Sequence, residues 1–211
     1  MRKTLTTLIL STTCCLMFAN TANARSSQGY ETSLTSLNTT SLRIDVGLSE
    51  DMQARAEGLA DGRLTCTQSR RINNGFACNG FYGQRDLDAL TAKLEKWTGA
   101  ALTKRGINVT DEAETVLKLT LVDARNNRPT HKQLSHDVTL SFQSFGLGGA
   151  EFSGELFDAN GNSLGTVSYA YYEAFLDNFS RSNSTWSDAK DAMQRFSKRV
   201  AKDIASNTTG A

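Results

Sequence analysis

The sequence predicts an α+β fold: one largely antiparallel sheet of five to six strands with two amphipathic helices packed on one face. Three observations carry that expectation. Short segments such as Leu42-Arg43-Ile44-Asp45-Val46 alternate apolar and polar residues, the signature of a half-buried strand. Two longer segments, around Leu87–Ala101 and Trp186–Ile204, repeat apolar residues at intervals of three and four, the stripe of a helix with one buried face. The strands come in runs rather than alternating one for one with helices, which favours hairpin connections.

The opening residues predict export. Arg2 and Lys3 precede an uncharged, mostly apolar run from Leu5 to Phe18, and Ala22-Asn23-Ala24 supplies the small-x-small pattern of a cleavage site. The run is short of the roughly 20 apolar residues a spanning helix needs, so residues 1–24 are expected as a signal peptide cleaved after Ala24. The expected location is the periplasm. Cys14 and Cys15 lie within the apolar run, which leaves an envelope lipoprotein as the alternative. No transmembrane segment is expected in the mature chain.

The full chain of 211 residues holds 23 Lys and Arg against 22 Asp and Glu, and removal of Arg2 and Lys3 leaves it near neutral. A balanced charge argues against a nucleic-acid partner, which needs basic side chains clustered on one face. After cleavage Cys66 and Cys78 remain. In an exported protein a sole pair is most simply a disulfide, here stapling a hairpin over 63–80 around Asn74-Gly75.

Residues 25–40, rich in Ser, Thr and Asn, read as a flexible arm, followed by a single domain over 41–206 and a tail at 207–211. Within the domain a strand is expected at 42–48, a short helix from Glu50 to Ala60, and a second strand at 63–69. A helix over about 86–104 follows, with Asp86 and Asp88 at its start, Lys104 and Arg105 at its end, and Gly106 as its stop. Thr115–Asp123 is the clearest strand, and Val138, Leu140 and Phe142 alternate as if in another.

The stretch from Gly146 to Ile204 organises the rest. Two strands, Ala150–Phe157 and Leu164–Tyr172, flank the turn at Asp158–Asn162, and a helix opens near Thr185-Trp186-Ser187-Asp188. Thr185 with Asp188 three residues later matches a capping box, with Asp in place of Glu.

This stretch resembles the C-terminal half of a family of small bacterial envelope proteins of unknown function, many of them described as lipoproteins. The residues that carry the resemblance are Gly148, Gly149, Ala150, Asp158, Gly161, Trp186, Asp188 and Ala192, within about 114–206. The resemblance implies envelope residence and an α+β fold. It brings no activity with it.

Several motifs suggest chemistry and then fail on spacing. Gly146-Leu147-Gly148-Gly149 looks like a phosphate cradle, yet Glu151 stands where a dinucleotide fingerprint needs glycine, and a strand follows instead of a helix. A glycine bend in the sheet is the simpler reading. Asp158-x-Asn160-x-Asn162 copies the opening of a calcium loop, but Ser163 and Tyr169 replace its glycine and its bidentate glutamate. His131 and His136 match no zinc spacing with Cys66 and Cys78. Neither catalytic residues, metal ligands nor a cofactor site are assigned.

One aromatic-rich patch remains: Tyr169, Tyr171 and Tyr172, with Phe175 and Phe179. Tyr169 and Tyr171 share a face of the strand and Tyr172 points opposite. Exposed aromatics favour contact surfaces, so these five residues are the candidate contact with an envelope protein or ligand. The function expected is an exported, non-enzymatic interaction or accessory factor. The alternatives are a small-ligand or lipid-fragment carrier using space between sheet and helices, and a periplasmic hydrolase using His131 or His136.

Overall fold

The computed structural model describes residues 29–37, 40–58, 76, 80–173 and 184–208. The expected signal peptide, Cys66 and Cys78 with most of the hairpin expected around them, and Phe175 and Phe179 lie outside the described residues. Among those described, no helix is long and apolar enough to cross a membrane.

Six strands form one mixed sheet: β1 (Gly29–Thr32), β2 (Ser41–Leu48), β3 (Asn108–Val109), β4 (Val116–Arg125), β5 (Gly149–Phe157) and β6 (Ser163–Tyr172), in the order β1-β6-β5-β4-β2-β3. The chain is α+β, as its pattern predicts, but the sheet is not largely antiparallel throughout. The β1–β6, β6–β5 and β5–β4 pairs are antiparallel, whereas β2 runs parallel to both β4 and β3. The cause lies in the connection. The chain leaves β2 through two helices, α1 (Glu50–Glu57) and α2 (Gln84–Thr103), before returning to β4, and a long crossover brings a strand back in the same direction.

Rows of cross-strand neighbours build the core. Leu48, Leu121, Phe152, Tyr169 and Tyr30 sit side by side across five strands, and Ile44, Leu117 and Leu156 across three. The last helix, α4 (Ser187–Asn207), lays Ala189, Ala192, Met193, Phe196, Val200 and Ile204 against them, each fully buried. The Phe196 ring stacks on Phe152 with centroids 5.0 Å apart and on Tyr169 at 6.3 Å. α2 contacts both α4 and β2, and Thr98 and Ser197 share a buried hydroxyl hydrogen bond of 2.9 Å between the two helices.

Two expectations change. Part of the arm expected at 25–40 is the edge strand β1, whose Tyr30 ring leans on Tyr169 at 6.5 Å. Ser33 N–H and Thr35 N–H continue the pairing to Thr166 O and Leu164 O, and Leu37 is only 1% exposed beside the end of α4. Tyr and Thr suit an edge strand, but a four-residue strand is too short for its alternation to stand out from the Ser- and Thr-rich sequence around it.

The segment expected as a strand at Val138–Phe142 forms turns and irregular chain instead, just after a short helix, α3 (His131–His136). Thr130 and Gln133 form a capping box that starts α3. Asp137 Oδ1 then accepts from Thr139 N–H at 2.9 Å, and Ser144 N–H donates to Ser141 O at 2.9 Å. These local bonds take the groups a strand would offer to a neighbour, while β4 is already paired on both sides.

Candidate functional site

The site is built where β4 ends. Asn126 and Asn127, both fully buried, continue the strand into the loop before α3. Asn126 Nδ2 donates to Arg128 O and to Gln133 Oε1, each at 2.7 Å. Gln133 Nε2 in turn donates to Phe76 O at 2.8 Å and Gly80 O at 2.9 Å. Buried amides are costly unless paired, and here the pairings through Gln133 tie the end of β4 to α3 and α3 to Phe76 and Gly80.

Asn127 joins three segments. Its Nδ2 donates to Asp188 Oδ2 at 2.5 Å and to Gly146 O at 3.3 Å, while its Oδ1 accepts from Asp188 N–H at 3.0 Å. Gly148 N–H reaches the same Asp188 Oδ2 at 3.0 Å. The capping box expected between Thr185 and Asp188 is therefore not formed. Trp186 occupies the cap position without a side-chain bond, because the Asp188 carboxylate is committed to Asn127 and Gly148, and Asn127 supplies the missing acceptor from 61 residues away in sequence.

The glycine stretch serves this packing. A Cβ on Gly148 would fall 2.6 Å from Asn127 Oδ1, and one on Gly149, whose φ is +154°, 2.3 Å from Tyr171 O. The close approach leaves no room for a side chain, in keeping with a glycine bend. The Asp158 loop is a plain turn: Asp158 Oδ1 accepts from Asn160 and Asn162 N–H at 2.8 Å each, and Gly161 takes φ +80°. Hydrogen bonds from Asn162, side chain first and backbone second, hold that carboxyl below its ordinary range.

Burial raises the Asp188 carboxyl above the ordinary carboxylate range; the Asn127 and Gly148 bonds pull the other way, and Glu173 and Asp191 add to the rise. The start of α4 is fixed from a second side by Trp186, whose Nε1–H donates to Asp86 Oδ1 at 2.8 Å and whose ring meets Tyr82 edge-on at 5.2 Å.

These ties shape an open cleft of 760 Å³ between the start of α2, the α3 region and the start of α4, lined by Asp86, Arg128, Thr130, His131, Phe142 and Thr185 among others. Arg128 Nη1 donates to Gln143 O at 2.9 Å and braces the wall on which Phe142 stands. Phe142 is 72% exposed and Val138 97%, the exposed large hydrophobic residues among those described. His131 meets Phe142 edge-on at 6.0 Å.

Of the contact residues singled out from the sequence, Tyr169, Tyr171 and Tyr172 fall elsewhere. Tyr169 is 1% exposed beneath Phe196, and Tyr171 is 8% exposed. Tyr171 donates to Glu173 Oε2 at 2.8 Å with Arg195 above its ring at 4.6 Å, and burial and then Glu173 push its hydroxyl up to about 12. Both tyrosines serve the core. Tyr172 points to the opposite face, where its hydroxyl donates to Asp123 Oδ2 at 2.6 Å and Arg125 covers its ring at 4.2 Å. Asp123 also pairs with Arg55, which is 1% exposed and bound to Asp51 as well. Burial alone would lower the Arg55 pKa, and the two carboxylates, Asp123 foremost, more than reverse it.

His136 stacks on Phe81 with centroids 3.5 Å apart. Among the described residues neither histidine hydrogen-bonds a carboxylate or a hydroxyl, and no group of three metal-ligating side chains forms. The space between the sheet and α4 is filled by Phe152, Leu156, Met193 and Phe196. Composition could not reveal the cleft, because its wall is the segment that alternates like a strand. Thr130-x-x-Gln133 was the available signal, a capping-box spacing that announces α3.

No protein-family profile matches the chain, and no curated protein matches it. Solved structures do. One structure of the PelC dodecamer from Paraburkholderia phytofirmans aligns with a TM-score of 0.43 and 11% identity, covering 88% of this chain and all of that one. A second, of a single-substitution variant of the same dodecamer, aligns with a TM-score of 0.42 and 9% identity, covering 86% of this chain and 96% of that one.

Proposed function

We propose that the chain is an exported periplasmic or envelope-associated protein that binds another envelope protein rather than catalysing a reaction. The observation that carries this reading is the exposed Phe142 ring in the wall of a braced cleft of mixed polar and apolar lining, with the exposed Val138 four residues before it in the chain. Exposed aromatic side chains are enriched at contact surfaces, and Phe142 stands at a concave one. The partner would seat an apolar side chain against Phe142 and hydrogen-bond into the cleft. The test is a photoreactive residue at position 142 in living cells. A discrete adduct that Val138→Asp weakens supports the reading, and equal labelling from position 118 on the sheet counts against it.

The reading includes a signal peptide cleaved after Ala24, with lipidation at Cys14 or Cys15 as the alternative; the mass of the mature protein distinguishes them. It includes a Cys66–Cys78 disulfide, which in the chain-entropy account stabilises such a loop by roughly 3 kcal/mol. It also places α2 and α4 on one face of the sheet. Ile44 near Gly99 of α2, and Phe152 and Tyr169 beneath Phe196 of α4, support that placement.

A further inference from the structure

The parallel edge of the sheet is left unfinished. In β2 the odd-numbered residues bond inward, as Arg43 N–H to Thr115 O at 2.9 Å and Ser49 N–H to Leu121 O at 3.1 Å show. The even-numbered ones face outward, and β3 meets them only at the start, with Thr110 N–H donating to Leu42 O at 3.1 Å. Farther along, Gln53 Nε2 takes Leu48 O at 3.3 Å. Between these points the outward N–H and C=O groups of Ile44 and Val46 have no strand beside them among the described residues.

An unpaired edge is a template for another strand, and folded proteins usually blunt one with proline, a bulge or an inward charge. None stands at 44–47. Arg43 and Asp45 pair with each other, Nε to Oδ1 at 3.1 Å, and Gly47 is exposed.

Beside this edge lies a groove of 350 Å³, walled by Ile44, Ala92, Gly99 and Val109 and rimmed by Glu95, Lys96 and Asp111. Gly99 sits inside α2, where glycine disfavours the helix. A Cβ there would meet only Ile44 Cδ1, at 3.7 Å, so a small side chain fits and a large one would fill the groove. Glu95 and Asp111 have no ion pair among the described residues, which leaves two carboxylates against one ammonium on the rim.

We propose that the outer edge of β2, with the groove between it and α2, receives an extended basic segment of another protein, which joins the sheet as an added strand continuing the line of β3. Main-chain bonds to Ile44 and Val46 supply the pairing, an apolar side chain enters the groove over Ile44 and Gly99, and a lysine or arginine on the same face meets Glu95 and Asp111. This surface is separate from the cleft beside α3, and the two stand or fall independently.

The probe is the heptapeptide acetyl-KTVTKTV-amide, which alternates basic and apolar side chains on one face, with acetyl-ETVTETV-amide as its acidic counterpart. Amide hydrogen exchange of the mature chain is read by NMR. The lysine peptide is expected to slow exchange at Ile44 and Val46 by roughly tenfold or more, with less slowing by the glutamate peptide. Gly99→Leu should abolish the slowing while thermal stability is kept or raised. Unchanged exchange at both amides, equal protection by the two peptides, or protection that survives Gly99→Leu would overturn the proposal. So would protection in the free chain at low concentration, which assigns the edge to another segment of the same chain, or protection that grows with protein concentration, which assigns it to a second copy.

Discussion

Asn127 and Asp188 hold each other in both directions. The Asn127 side-chain amide Nδ2 donates to the Asp188 carboxylate at 2.5 Å, and the Asp188 backbone N–H donates to Asn127 Oδ1 at 3.0 Å. The pair closes the end of β4 onto the start of α4, with the glycine stretch between them. Asn127→Ala removes the acceptor that caps α4 and one of the donors to the buried Asp188 carboxylate, so a loss of about 1–3 kcal/mol in denaturant unfolding is expected. Gly148→Ala should be at least as damaging, since its Cβ would overlap Asn127 Oδ1.

Asp188 gives the pair a pH dependence whose sign is fixed. Burial raises its folded-state pKa, so the folded chain binds the proton more tightly than the unfolded chain does. That contribution is complete below the unfolded value near 4 and is lost as pH rises through the folded value. Asp188→Asn keeps an acceptor for Asn127 and Gly148 without the buried charge. Its stability relative to the parent should improve from acid to neutral pH, as urea melts across that range will show; a difference that does not vary with pH contradicts the assignment.

Phe196 bridges Phe152 and Tyr169 with no exposed surface. Phe196→Ala should cost about 3–5 kcal/mol, measured as a lower denaturant midpoint. Met193→Ala, also fully buried, should cost about 2–5 kcal/mol.

Arg55 is buried between Asp51 and Asp123, and Asp123 also accepts from Tyr172. Removing one partner of a buried pair leaves a charge uncompensated, so Arg55→Ala should cost about 3–5 kcal/mol. Tyr172→Phe leaves Asp123 its two arginines and should cost about 1 kcal/mol. The ratio of the two losses reports how the cluster divides its load.

The legible part of this fold was whatever repeats. The helix around Leu87, Leu90 and Leu94 and the hairpin around Asn160-Gly161 announce themselves through period and turn chemistry, and both stand within a few residues of where the pattern puts them. Strand direction was not legible: β2 resembles the antiparallel strands in composition, and only the two helices that follow it make it parallel to β4. Tyr169 and Tyr171 show the limit on the site side. Alternation identifies their shared face, but whether that face meets Phe196 or a partner depends on where α4 lands. Val138 and Phe142 show the converse, since period two describes them well and the bonds of Thr130, Asp137 and Ser141 override it.

Val138 and Phe142 should matter to binding and hardly at all to folding. Their side chains bury little, so the double change to serine is expected to move stability by no more than about 0.5 kcal/mol. Under the proposed function, Phe142 at the cleft and the exposed Val138 near it in sequence meet a partner protein. The most direct measurement of that contact is photocrosslinking in intact cells from position 142, compared with position 118 and repeated with Val138→Asp. A discrete adduct at 142, weak or missing at 118 and reduced by Val138→Asp, is the predicted result; the same labelling at both positions, or an adduct indifferent to Val138, contradicts it.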